Sequence, residues 1–293
     1  GVAEWPVMSD ISIGVVADVQ YADKEDDERG GALRHYRVSL SKLTSAVRAF
    51  NAAGVSSVLH LGDIIDGNVS EASTRADFSA VLRAFAHSRS RVHHVVGNHC
   101  LDVGRDKLLS SIGGAAHYES PLNDEWRLLV LDTTDMGIKG ASPELIEQGE
   151  RFLKEHKGKL PRAQTWNGGV GPAQLNWLRQ RLTDAAQAGL RVIVAGHMPL
   201  IASAATPEHL AFNSEEVLRV LRDFASVAPV YLCGHFHGGG YAQDASGIHH
   251  VTVEGLVEAT ERADGYAFLH INTDRVIVEG VGPDGVTSRT LEL

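Results

Sequence analysis

Cysteine is scarce: Cys100 and Cys233 are the two in 293 residues. Two thiols cannot build a disulfide framework, and they read as free thiols of a reducing compartment. Aromatic residues are few, at 6%. No basic tract exists, and 27 Lys+Arg against 37 Asp+Glu leave a formal charge of −10. A protein built to grip nucleic acid or an anionic membrane needs clustered Lys/Arg, so neither is expected as a partner. No apolar run approaches the ~18 residues of a membrane span. The first ten residues lack the basic and apolar regions of a secretory signal. These absences predict a cytoplasmic protein, and nothing in the sequence demands more than a monomer. Histidine, in contrast, is frequent, with fifteen copies. Neutral imidazole is the commonest metal ligand.

Residues 11–17 are an apolar run ending in Asp18 and predict a buried strand. Residues 21–34 are polar, contain Gly30-Gly31, and read as a loop. A helical period over 36–53 stops at Gly54. Strands at 57–61 and 92–96 flank a helix at 76–86. Further on, 127–131 reads as a strand, and 143–156 and 172–188 as helices with Pro in the first turn. Strands 192–195 and 230–232 bracket a helix at 214–224. Runs at 249–253, 266–271 and 276–281 predict an antiparallel set. With no repeat, linker or low-complexity segment, one domain over 1–293 is expected.

The polar residues that follow these strands carry the chemistry. They are Asp18 with Gln20, then Asp63, then Asn98 with His99, then His197, then His235 with His237. Each alone could be a turn residue. Five strand ends in series, most flanked by Gly, point to one site at the carboxyl edge of a sheet. A carboxylate can bridge two cations ~3.5–4 Å apart, and Asp63 suits that role. Imidazoles with oxygen donors favour Mn, Fe or Zn over Ca. Two carboxylates against two divalent ions leave the site positive, which attracts phosphate without a basic patch.

Asp18-x-Gln20, Gly62-Asp63-x-x-Asp66-Gly67, Gly97-Asn98-His99, Gly196-His197 and Gly234-His235-x-His237 resemble the motifs of the calcineurin-like metallophosphoesterases. The resemblance implies an α/β four-layer αββα sandwich, two central mixed sheets flanked by helices. It also implies a dinuclear centre that hydrolyses phosphoesters. It assigns one metal to Asp18, Gln20, Asp63 and His237, and the other to Asp63, Asn98, His197 and His235. His99 would be a non-ligand acid and Asp66 its orienter; a further ligand and a plain turn residue are the respective alternatives. Gln20 stands where the common pattern has His, and a harder amide oxygen shifts preference toward Mn²⁺ or Mg²⁺. Cys100 follows Gly-Asn-His where an acidic residue is frequent, and reads as a buried neutral thiol. The purple acid phosphatases carry a ligand Tyr at the position of Asp66, so no tyrosinate colour is expected.

The segments around Gln20, Trp166-Asn167-Gly168-Gly169 and Gly234-His235-x-His237-x-Gly239-Gly240-Tyr241 are similar to the manganese-dependent ADP-ribose/CDP-alcohol diphosphatases. This similarity runs over about 11–281 and implies cleavage of the pyrophosphate of a nucleoside diphosphate-linked small molecule. Such a substrate needs a stacking surface and donors for its second phosphate. Tyr21, Tyr36, Trp166, Phe212, Phe236 and Tyr241 are aromatic candidates, against core packing. Arg34 and Arg37 are phosphate candidates, against a solvated helix start, and Asn167 a substrate contact, against a plain loop. The rival readings are a cyclic-nucleotide or broad phosphodiesterase and a non-catalytic scaffold. A scaffold would have lost ligands that this chain keeps.

Overall fold

Strands covered on both faces carry apolar side chains at successive positions, one set for each face. The computed structural model describes residues 11–260, 264–282 and 285–293, so the expectation for the first ten residues lies outside it. In chain order come β1 (Ile11–Val16), β2 (Asp27–Arg29), β3 (Ala32–Arg34), α1 (Tyr36–Ala53), β4 (Ser57–His60), α2 (Glu71–Phe85) and β5 (Arg91–His94). Then follow α3 (Arg105–Ile112), β6 (Tyr118–Pro121), β7 (Trp126–Val130), α4 (Pro143–His156), α5 (Pro172–Gln187) and β8 (Arg191–Ala195). The last are α6 (Ser214–Arg222), β9 (Val230–Cys233), β10 (Gly240–Gln243), β11 (His249–Thr252), β12 (Tyr266–Ile271), β13 (Arg275–Gly280) and β14 (Arg289–Glu292).

Two six-stranded sheets result, ordered β14-β13-β12-β1-β4-β5 and β10-β11-β9-β8-β7-β6. Alternation along each strand divides its side chains between layers. Ile13, Val15, Leu59, Leu128, Val130, Ile193 and Leu232 pack into the core between the sheets. Val16 and Val58 face outward against Leu43, Val47, Phe50, Phe78 and Val81 of α1 and α2. Leu129, Val192, Val194 and Tyr231 face the other way, against Leu178, Leu182, Leu218 and Leu221 of α5 and α6. This is the expected four-layer αββα sandwich. A fully buried Phe50 or Leu contributes about 1.5–3 kcal/mol.

Local signals set the helix ends. Gly54 closes α1 at φ +66, donating to the Phe50 carbonyl, and Ser70 caps α2 by accepting from the Ser73 N–H. Pro begins α4 and α5.

The structure departs from expectation in three places. Residues 21–34 are not a plain loop: β2 and β3 form a hairpin about Gly30-Gly31. Both glycines have positive φ, +64° and +85°, as a two-residue hairpin turn requires. The C-terminal strands are not one antiparallel set. β11 runs parallel to β9 in one sheet, whereas β12 joins β1 in the other. Local alternation specifies a strand but not its partner. Finally, α3, β6, β10 and β14 lie where the sequence by pattern predicts no element.

Parallel pairing of β1 with β4 and β4 with β5 sends their carboxyl ends to one edge. β8 and β9 do the same in the second sheet. The two edges meet where the main-chain N–H of His235 donates to Asp18 Oδ2 at 2.9 Å.

Candidate metal centre

The residues just past these strands leave extended geometry abruptly. Among the described residues, the non-glycine residues with positive φ are Asp18 (48°), Gln20 (40°), Asp63 (55°) and His235 (68°). Such conformations cost of order 1–3 kcal/mol each and persist only where the surroundings over-determine them. Here the hydrogen bonds from Asp18 N to Gly62 O (3.1 Å) and from Gln20 N to Asp63 O (2.9 Å) hold two of them. All four are strand-end residues singled out as ligand candidates. The motif glycines have a matching reason. A Cβ on Gly97 would collide with the Asp63 carboxylate, and one on Gly234 with that of Asp18.

Each of three histidines is pinned through one ring nitrogen and turns the other inward. His197 Nδ1 donates to the Leu61 carbonyl at 2.8 Å. Its Nε2 lies 3.2 Å from both Asp63 Oδ2 and Asn98 Oδ1. His237 Nδ1 pairs with Glu258 Oε1 at 2.7 Å, while Nε2 lies 3.4 Å from Asp18 Oδ1. His235 Nε2 donates to Asn167 Oδ1 at 2.8 Å, which leaves the Nδ1 lone pair free. Donor atoms of Asp63, His197 and His235 lie within 4.8 Å of one another.

This donor set fits cations. Asp18 and Asp63 are 0% and 1% exposed, and Asp18 Oδ1 is buried with no hydrogen-bond partner among the described residues. Buried carboxylates without positive partners are costly. Among protein groups alone, burial opposes charge on His197, but Asp63 outweighs it and raises the ring to about 9. Burial likewise opposes charge on His237, and Asp18 with Glu258 raises it to about 9. Burial and the neighbouring His197 keep His235 neutral. Cations taking the same nitrogens displace these protons, so loading weakens as pH falls.

Gln20 reaches the centre differently from expectation. Its Nε2 lies 3.1 Å from Asp63 Oδ2 and 3.2 Å from His237 Nε2. Its Oε1 accepts from Arg34 at 3.0 Å. The amide nitrogen thus stands between the Asp63 carboxylate, to which it donates, and the His237 ring. A half-turn of the amide about its last torsion would present the oxygen instead.

His99 stands beside this cluster. Its main-chain N–H donates to Asp63 Oδ1 at 2.9 Å, and its ring Nδ1 donates to the Asp66 carbonyl at 2.9 Å. The Asp66 carboxylate is farther from the ring, at 3.7 Å. It is engaged by Lys24 and by Arg34 at 3.3 Å. Asp66 therefore orients His99 through its main chain and organises cations through its side chain. Cys100 is fully buried. Burial, with Asp63 nearby, pushes its thiol up to about 12.

The substrate candidates divide. Arg34 joins the centre, bridging Gln20, Asp66 and Glu258. Tyr36 does not: it is buried with Ala22 and Val257, and its hydroxyl donates to Asp27. Arg37 is at the surface, paired with Asp23 and Glu25. Tyr21 is half-buried against the α1/α2 core. Phe236 packs on His209 with ring centroids 5.2 Å apart. Asn167 is buried and spends its amide on His235 and on the carbonyls of Arg162 and Glu208, so its side chain steadies a ligand ring instead of facing solvent. The polar character of the loop hid that role.

Sequence reasoning missed Glu258 and the Leu61 carbonyl, the partners that aim His237 and His197. Neither carries a local signal, because Glu258 comes from the far side of β11 and the carbonyl is anonymous main chain. Losing an outer partner of a ligand histidine typically costs 10–100-fold in metal affinity. Glu258→Gln keeps the shape and removes the charge. Titration with Mn²⁺ is expected to give a dissociation constant raised roughly 10-fold or more; unchanged affinity would show that Glu258 does not tune the site.

A profile described as calcineurin-like phosphoesterase matches residues 11–239. A protein of Arabidopsis thaliana named manganese-dependent ADP-ribose/CDP-alcohol diphosphatase is 33% identical over 303 residues, covering 96% of this chain and 96% of the relative. A protein of the same name from Danio rerio is 34% identical over 316 residues, covering 95% and 97%. The solved structure of a dimetal phosphatase from Danio rerio superposes with a TM-score of 0.89 at 32% identity, covering 96% of this chain and 98% of the other. A purple acid phosphatase from yellow lupin, at 14% identity and a TM-score of 0.62, shares the fold. With the strand-end donors in place and the profile spanning most of the chain, the protein belongs to the calcineurin-like phosphoesterase family.

Proposed function

We propose that this protein hydrolyses the pyrophosphate bond of nucleoside diphosphate-linked metabolites such as ADP-ribose and CDP-alcohols, with two divalent cations, manganese before iron, zinc or magnesium. The observation that carries the chemistry is the convergence of Asp63, His197 and His235, with ligand atoms within 4.8 Å of one another, beside the Asp18–His237 pair at 3.4 Å. The substrate class rests on full-length likeness to relatives named for those substrates. One cation is assigned to Asp18, Asp63, His237 and a flipped Gln20, the other to Asp63, Asn98, His197 and His235. When bound, such a pair lowers the pKa of water and polarises phosphoryl oxygens.

The protein's own groups do the rest. Asp63, the carboxylate common to both sets, would hold both ions. Leu61, Asn167 and Glu258 hold the ligand rings in one tautomer and orientation. His99 is a quarter exposed at its side chain, 25%, with Nδ1 engaged by Asp66. Its Nε2 has no protein partner among the described residues, so the imidazolium form, protonated on both nitrogens, can hand the Nε2 proton to the leaving oxygen and return to the neutral Nδ1–H ring. Arg34, itself half-ringed by acceptors, is the available donor for a second phosphate. The whole chain works as one domain and as a cytoplasmic monomer acting on a small molecule. In keeping with that, both thiols are buried and unbridged. Among the described residues no helix is long and apolar enough to cross a membrane.

The test is hydrolysis of ADP-ribose, CDP-choline and cyclic AMP with added Mn²⁺, before and after chelation. Turnover of the diphosphates that disappears with chelator is expected. Turnover of cyclic AMP alone would replace this reading with the phosphodiesterase one.

A further inference from the structure

The aromatic candidates for a stacking surface are sorted by burial. Tyr36 and Phe212 are core residues, 0% and 1% exposed. Tyr241 stacks on His249 and lies under Arg289. Phe236 is taken by His209. Trp166, in contrast, is 45% exposed. It lines a cleft of ≈ 200 Å³ whose wall also includes Asn98 and His99, Ile138, Met198 and Lys139. Ile138 is 42% exposed as well. Two large apolar side chains thus stay wet in a cleft continuous with the metal centre.

The shelf is rigid. Asn167, next in sequence, is anchored to His235, Arg162 and Glu208. Gly168 N–H is directed at Met198 Sδ at 3.1 Å, and Asn167 N donates to Gln164 O. The indole is therefore carried on the same short segment that steadies a ligand ring, and its distance from the centre is set by that anchoring.

We infer that Trp166 is the stacking platform for the nucleobase, resting on the diphosphatase reading above. With the phosphates at the centre, one arm of the substrate must enter this cleft. A flat, weakly polar base matches an exposed indole in a cleft that Ile138 and Met198 also line. Lys139 and Asp102 are paired with each other at the mouth, both partly exposed. The buried polar side chains of this wall, Thr134 and Asn167, are already engaged, the one with Arg105 and Asp132 and the other with His235, Arg162 and Glu208, so neither is left to read a base edge. Stacking on a π face is tolerant of base identity, so adenine and cytosine are both admitted.

The experiment uses the full chain loaded with Mn²⁺. Trp166→Ala should raise KM for ADP-ribose and for CDP-choline alike, roughly tenfold or more, with the loss in KM and not kcat. Trp166→Phe should recover most of it. Independently of turnover, AMP and CMP should quench tryptophan fluorescence, ribose 5-phosphate should not, and Trp166→Phe should abolish the quench. If wild-type protein turns over neither diphosphate, the reading of function fails, and the fluorescence arm still decides the shelf. Wild-type turnover with an unaltered Trp166→Ala KM, or no quench by AMP, overturns the inference. A loss confined to CDP-choline would place the alcohol on the indole and overturn it equally.

Discussion

Replacing His99 with alanine should lower turnover of a diphosphate substrate by about 10²–10⁴, the usual worth of a positioned acid or base, while bound metal per chain stays the same. The two halves of that expectation come from separate atoms. Metal retention follows because the part of His99 that touches the centre is its main-chain N–H on Asp63 Oδ1, which alanine keeps. The turnover loss follows because the imidazole is held by the Asp66 carbonyl at the edge of the cluster, outside the three rings that face inward. Metal analysis beside kinetics separates the alternatives left open by the sequence. Loss of a cation would make His99 a ligand, and surviving activity would remove it from the chemistry. Asp66→Asn should be milder, since the carbonyl that orients the ring remains.

Asp63→Asn should abolish tight binding of both cations and cut turnover by more than the 10–100-fold typical of an outer-partner loss. Asparagine preserves size and tolerates the left-handed conformation at φ 55°, so the backbone need not move. The electrostatics change completely. In the native chain burial penalises the Asp63 charge, yet His197 and its neighbours hold the carboxyl well below its usual range. Oδ1 is occupied by His99 N–H, and Oδ2 meets Gln20 and His197. An amide places a donor against one of those donors and removes the negative charge common to both ligand sets. Bound metal per chain after desalting is the measurement. Two cations retained by Asp63→Asn would refute the shared-carboxylate assignment.

The gaps between sequence and structure are as informative as the agreements. Glycine-flanked Asp63, Asn98 and His197 were legible because the strand, the turn and the side chain are all local. The orientation of Gln20 was not, because its amide answers to Arg34 from the β2–β3 hairpin and to Asp63 from another strand end. Asn167 and Trp166 are neighbours in one loop, yet one is buried on His235 and the other is 45% exposed. No periodicity separates them. Among the histidines outside the centre, His60 and His94 sit on strands and are buried beside Phe85. Burial above all holds them neutral.

By itself the sequence determined which side chains could bind metal, and that they follow apolar strands. Alternation and chirality confine parallel strands to one sense, so their carboxyl ends share an edge. Tertiary structure alone decided which edges meet. It brought Asp18 from one sheet under His235 from the other, supplied Leu61 and Glu258 as partners for the rings, and left Trp166 in the open cleft. Those contacts are long-range, so they depend on strand pairing and layer packing that no local window of sequence contains.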